Sequence, residues 1–149
     1  MENRIQIDVT EPAAYKGMYA LENYLTQSQL DKTHLNLIKI RASQLNGCAF
    51  CIDMHTKEAL KNGETQQRIF LLNAWKERHV FTEEEKIILQ ITEEVTMIHR
   101  NGLTKKTYDK ALEKFDGNYF TQIIMAVTTI NAWNRIAIST NKPLVNNQE

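Results

Sequence analysis

The stretch NGCAFCIDMHTKEA, Asn46 to Ala59, holds both cysteines of the chain, Cys48 and Cys51, and places His55 four residues after the second. On a helix turning about 100° per residue, with Cys48 at zero, Cys51 falls near 300° and His55 near 340°, a shared sector of roughly 60°. The spacing Cys-x-x-Cys-x-x-x-His therefore builds one helical face with two thiols and a base. Asn46-Gly47 is a strong turn signal, so the pair stands at a helix start. A cysteine in a first turn faces unpaired backbone N–H groups and the positive end of the helix dipole, which favours thiolate. His55, one turn below Cys51, can take the proton from that thiol or, when protonated, stabilise its thiolate. The sequence thus predicts a thiolate at neutral pH.

Neighbours at i and i+3 on a helix have Cβ atoms about 5–6 Å apart, whereas a relaxed disulfide needs about 3.5–4.5 Å. A bridge between the two sulfurs requires some adjustment of the first turn and should be easily reduced, which suits a catalytic disulfide. Other readings compete. The cysteines could be small buried hydrophobes. Structural zinc takes four ligands, and this motif offers three. A c-type haem site needs His directly after the second cysteine, where Ile52 stands. A thioredoxin fold needs βαβ units, which the pattern lacks. Dithiol redox chemistry on a helical scaffold remains favoured.

That scaffold is legible as a series of helices. Pro12 to Ser28 begins with proline and carries apolar residues at helical spacing. The segment 31–47 places Leu35, Ile38, Ala42 and Leu45 on one stripe. The motif helix runs from about Cys48 to Asn62, with Gly63 as its left-handed stop. A fourth helix spans 64–77. TEEEKIILQITEEVTMIH, 82–99, opens on a Thr82/Glu85 capping box with acidic residues at its positive end. A shorter amphipathic helix covers 104–115, Asp116-Gly117-Asn118 makes a turn, and the last helix, 119–140, is apolar on most of its surface, as in a buried or oligomer-forming helix. No segment alternates with period two over strand length. The expectation is an all-α, single-domain bundle of about six to seven helices over 1–149, with 1–10 and 141–149 as loosely ordered ends. His34, His79 and His99 read as surface or helix-end histidines. Trp75, Trp133 and Tyr119 read as core or interface, and Glu83 to Glu85 as a solvated helix start.

Whole-chain properties set the frame. Eighteen Lys+Arg balance eighteen Asp+Glu, so nothing electrostatic points to nucleic acid or an anionic membrane. No apolar run approaches the roughly 18 residues of a membrane span, and MENRIQIDVTEP lacks the apolar core of a secretory signal. The expected compartment is the cytoplasm, where a close cysteine pair is redox-active or metal-binding more often than a structural disulfide. With 149 residues the chain can bury roughly 70% of its unfolded surface and needs neither bridge nor metal for its core.

LIKIRASQLNGCAFCIDMHTKEALKNGE resembles the core segment of the alkylhydroperoxidase D-like branch of the carboxymuconolactone decarboxylase superfamily, and INAWNRIAI, Ile130 to Ile138, resembles that branch's C-terminal helix. The resemblance spans about Leu35 to Ile138. It implies an all-α protomer that assembles as dimers, trimers or hexamers, with neither metal nor organic cofactor. It also implies antioxidant chemistry: Cys51 attacks a hydroperoxide and becomes a sulfenic acid, Cys48 closes the disulfide, and a lipoyl-like or thioredoxin-like dithiol partner reduces it. His55 matches the family histidine. The family's relay glutamate, twelve residues before the first cysteine, is Asn36 here, which cannot act as a base, and Ala49-Phe50 fills a gap where the family has a histidine. The alternatives are a decarboxylase-type lyase of the same superfamily, whose members generally lack the cysteine pair, and a non-enzymatic helical redox-sensing or binding module.

Overall fold

The computed structural model describes residues 4–77 and 79–144. Among them the chain forms nine α-helices and no strand: α1 (Ile7–Thr10), α2 (Pro12–Thr26), α3 (Lys32–Asn46), α4 (Ala49–Lys61), α5 (Gln66–Leu71), α6 (Glu83–Thr96), α7 (Ile98–Asn101), α8 (Lys105–Lys114) and α9 (Gly117–Ser139). The all-α expectation holds. The count exceeds six to seven because α1 and α7 are single four-residue turns. None of these helices is long and apolar enough to cross a membrane.

Local chemistry sets the boundaries. Pro12 starts α2, where its missing N–H costs nothing. Asp31 caps α3 by accepting from the N–H groups of Thr33 and His34. The Thr82/Glu85 capping box forms in both directions, Glu85 N to Thr82 Oγ1 at 3.2 Å and Thr82 N to Glu85 Oε2 at 2.7 Å. The expected helix over 64–77 is broken. It ends at Leu71 and tightens into a 3₁₀ turn at Leu72–Ala74. Tertiary anchors override helix propensity there: the Trp75 indole donates to Glu93 Oε1 at 2.8 Å, and Arg68 holds Val80 O at 2.7 Å together with the Glu85 carboxylate.

Helix α3 lies at the centre, packed by α4, α6 and α9. It is buried on two sides. Ile38 and Ala42 join one apolar cluster with α6 and α9, while Leu37 and Ile40 join another with Leu72, Trp75, Phe81 and Leu89. Leu37, Ile38 and Ile40 are at most 1% exposed, each burial contributing about 1.5–3 kcal/mol before entropy is subtracted. The apolar length of α9 is used up in the same way, against α2, α3, α6 and α8 of its own chain. It therefore no longer argues for self-association, which rests on the family resemblance alone.

Residues 4–10, in one segment expected to be a loose end, bind the end of α9 and Lys142 of the other. Gln6 Nε2 donates to Thr140 O at 2.9 Å, Arg4 to Ser139 O at 3.0 Å, and Lys142 Nζ pairs with Asp8 at 2.9 Å. Paired backbone and a partly sheltered ion pair order residues that have little apolar surface to bury. Residues 1–3 and 145–149 lie outside the described residues.

Candidate active site

The turn between α3 and α4 is two residues long and fully determined. Gly47 sits at φ 69°, ψ 32°, the left-handed region that glycine enters without strain. Gly47 N donates to Gln44 O and Cys48 N to Ser43 O, the paired closure of a Schellman motif. Cys48 thus ends one helix through its N–H. It begins the next through its side chain, because it is the N-cap of α4, with φ −84° and ψ 93°. Its Sγ accepts from Cys51 N at 3.4 Å. Cys51 is the third residue of α4, so the pair occupies the two positions whose groups meet in a capping box. The expected geometry of two helical neighbours is modified accordingly: Cys48 is not helical, and its sulfur folds over the first turn.

A buried amide network fixes that turn from behind. Asn46 Nδ2 donates to Asn131 Oδ1 and Asn134 Oδ1, both at 2.9 Å, and Asn134 Nδ2 donates to Ser43 Oγ at 3.0 Å. Asn131 also donates to Thr96 Oγ1 at 2.9 Å and Val127 O at 2.8 Å. The ends of α3 and α6 are therefore tied to one face of α9. Every side-chain bond in this set has a defined partner, as a buried polar network requires. The asparagines of INAWNRIAI, three residues apart, are its core.

Cys51 faces the other way, into a cavity of about 400 Å³. His55, Phe50 and Met54 of α4 line it beside Cys51; Cys48 is not among its walls. Opposite stands an aromatic group, Tyr15, Tyr19 and Trp133, with ring centroids 5.2–6.2 Å apart. Trp133, read from sequence as core or interface, is a cavity wall, and its indole donates to Glu22 Oε1 at 2.9 Å. All the charged groups of the lining are paired with one another: Lys39 with Glu22 at 3.2 Å, Lys142 with Asp8 at 2.9 Å, and His55 Nδ1 with Glu58 Oε2 at 3.0 Å. The cavity offers aromatic and aliphatic walls, with two full ion pairs and the His55-bound Glu58 carboxylate as its charged groups.

His55 is 3% exposed, and its hydrogen bond goes to Glu58, not to a sulfur. That bond, with help from the Lys39 charge, holds the Glu58 carboxyl below the usual carboxylate range. A carboxylate only accepts, so Nδ1 carries the proton, and in the neutral ring Nε2 keeps the lone pair. Asn36, the possible relay position, is buried at 4% exposure and does not line the cavity. Glu58, missed in the sequence although His-x-x-Glu is an ordinary i, i+3 helical pair, is the carboxylate that holds the histidine. Lys39 and Glu22, also missed, carry no local signal. The other histidines stand apart: His34 is bound to Tyr119 Oη at 2.6 Å, and His79 and His99 are exposed.

The expected resting thiolate is not what burial produces at Cys51. The surrounding apolar wall, seconded by the hydrogen bond to Cys48, pushes the Cys51 thiol up to about 12, and the Asn134 amide only partly opposes this. The first-turn N–H on which the sequence argument relied is spent on the Cys48 sulfur. Cys51 is therefore a thiol at neutral pH that needs a base at the moment of attack. We expect the iodoacetamide rate of Cys51, measured in a Cys48→Ser/His55→Ala protein so that no base assists, to rise about tenfold per pH unit from pH 7 to 10 with no plateau. A plateau beginning near pH 7 would mean a preformed thiolate. The linkage sign is that of a group bound more tightly to its proton when folded. Its stabilisation is present below the ordinary thiol value of 9.0 and is lost as pH climbs toward about 12.

A family model described as the carboxymuconolactone decarboxylase family matches residues 12–94, more than half of the chain and including both cysteines, His55 and Glu58. The chain belongs to the carboxymuconolactone decarboxylase family. This family member is 41% identical over 139 residues to the uncharacterized protein YdfG of Bacillus subtilis (strain 168), covering 93% of this chain and 95% of YdfG. A crystal structure from Agrobacterium tumefaciens, of a protein of unknown function named as a candidate antioxidant defence protein AhpD, superposes with TM-score 0.93 at 38% identity, over 97% of this chain and 99% of that one. The alkylhydroperoxidase AhpD core of an uncharacterized peroxidase-related protein from Ralstonia eutropha JMP134 shares the fold, with TM-score 0.82 at 13% identity over 93% and 74% of the two chains. Within the carboxymuconolactone decarboxylase family the chain stands in the alkylhydroperoxidase D-like branch.

Proposed function

We propose that the protein reduces uncharged organic hydroperoxides through a Cys51–Cys48 dithiol cycle. One observation carries the reading: Cys51 opens onto an internally charge-paired, aromatic cavity beside His55, with Cys48 held behind it. The Cys51 sulfur attacks the distal peroxide oxygen while His55 Nε2 takes the thiol proton. The O–O bond breaks, the alcohol leaves with a proton, and Cys51 becomes a sulfenic acid. Cys48 then attacks that sulfur, water leaves, and the disulfide forms. A dithiol partner returns both residues to thiols. Glu58 orients the imidazole throughout.

A second reading, dithiol–disulfide exchange or redox sensing without peroxide chemistry, is favoured by Asn36, which stands where the resembled family has its relay glutamate and cannot act as a base. Steady-state loss of cumene hydroperoxide with dihydrolipoamide as donor separates the two. Turnover that exceeds one peroxide per chain supports the peroxidase. Disulfide exchange with no peroxide loss supports the second reading.

A further inference from the structure

We propose that the reductant enters the same cavity as the oxidant and attacks Cys51 Sγ, so that Cys48 is the leaving thiolate when the disulfide is reopened. The inference rests on the dithiol cycle above but not on which oxidant forms the disulfide. Cys48 is 1% exposed and Cys51 2%, so neither sulfur meets bulk solvent. Of the two sulfur residues, Cys51 lines the cavity, together with Phe50, Met54 and His55, and Cys48 does not. Thiol–disulfide exchange needs the incoming sulfur, the attacked sulfur and the leaving sulfur close to a line, so access decides which sulfur is attacked. Cys51 stands in the cavity wall and Cys48 does not, so a thiol arriving through the cavity meets Cys51 first and displaces Cys48.

The leaving side is prepared as well. In the dithiol form the Cys48 sulfur accepts the Cys51 N–H at 3.4 Å, at the N-terminus of the thirteen-residue α4. Charge arriving on Cys48 as the bond breaks meets a backbone donor and the positive end of the helix dipole. The step balances. A thiol R–SH loses its proton to His55 Nε2 or solvent and its sulfur bonds to Cys51. The Cys51–Cys48 bond breaks, and Cys48 departs with the electron pair and is then protonated. A second thiol takes R–S from Cys51 as R–S–S–R, and Cys51 is released as a thiol. One sulfur thus meets both oxidant and reductant, and the other never leaves the interior.

The test forms the disulfide with diamide, so that it is independent of any peroxidase activity. The oxidised full chain is mixed briefly with cysteamine, quenched in acid with N-ethylmaleimide and digested with trypsin. The peptide from Ala42 to Lys57 is then sequenced by mass spectrometry. Cysteamine on Cys51 with maleimide on Cys48 is the expected result; cysteamine on Cys48, or an even split, overturns the proposal. A second arm settles the case in which no adduct accumulates. With each rate divided by the thiolate fraction found from its own pH profile, reduced Cys48→Ser protein should react with 5,5′-dithiobis(2-nitrobenzoate) about 100-fold faster than Cys51→Ser protein while folded, since access then sets the difference, and the two should converge in denaturant. A folded-state ratio below about ten overturns the inference.

Discussion

Cys51→Ser protein is expected to consume no hydroperoxide, whereas Cys48→Ser protein should consume one equivalent and stop at a sulfenic acid on Cys51. Attack needs the sulfur that reaches the cavity, and disulfide closure needs both. The comparison is clean because serine is a good N-cap: at position 48 a hydroxyl replaces the thiol that accepts from Cys51 N, and the start of α4 is preserved. Dimedone trapping and mass spectrometry locate the sulfenic acid. Sulfenic acid on Cys48 in the Cys51→Ser protein, formed at near wild-type rate, would reverse the assignment.

The second large effect belongs to His55. A thiol pushed up to about 12 is almost wholly protonated at pH 7, so a positioned base dominates the rate. His55→Ala should slow Cys51 oxidation about 10²–10⁴-fold, with the remaining rate rising with pH as thiolate forms without help. Glu58→Gln should cost less, because the amide can still accept from Nδ1 while the carboxylate charge is lost. The half-exposed Glu58 side chain makes that charge partly screened in any case. Single-turnover oxidation followed by quenched mass spectrometry gives both rates. A His55→Ala protein within threefold of wild type would remove the base from the mechanism. The pair Glu58–His55 also changes the expectation for Asn36→Glu. The histidine already has its carboxylate, so a new one at that buried position should gain little.

What the sequence made legible was what is decided within a turn or two of chain. The Gly47 turn and the Thr82/Glu85 cap are local, and each stands where its spacing put it; of the Cys-x-x-Cys-x-x-x-His face, Cys51 and His55 share one cavity wall, while Cys48 leaves the helix as its N-cap. At Cys51 the thiolate expectation gives way for a reason of scale: the dipole is local, but the burial that raises this thiol comes from the helices packed around α4, which no motif records. Glu22, Lys39 and Trp133 reach the cavity from three different helices, α2, α3 and α9, and their polar groups are meaningful only after those helices pack. The Asn131–Asn134–Asn46 network lies between these cases. Two asparagines on one face of an apolar helix must find partners, yet the partner could not be named from spacing.

The pairing of the two chain ends has a consequence for diversity within the family. The matched region, residues 12–94, contains the two sulfurs, the base and its carboxylate. Asp8, Ile136, Ala137 and Lys142, which also line the cavity, lie outside that stretch. The chain outside the matched stretch thus supplies part of the cavity wall and none of these four groups. The doorway hangs on the Asp8–Lys142 ion pair and the Gln6–Thr140 bond, contacts between residues more than 130 positions apart. Relatives can exchange their terminal segments and so change what is admitted, leaving the sulfur chemistry untouched.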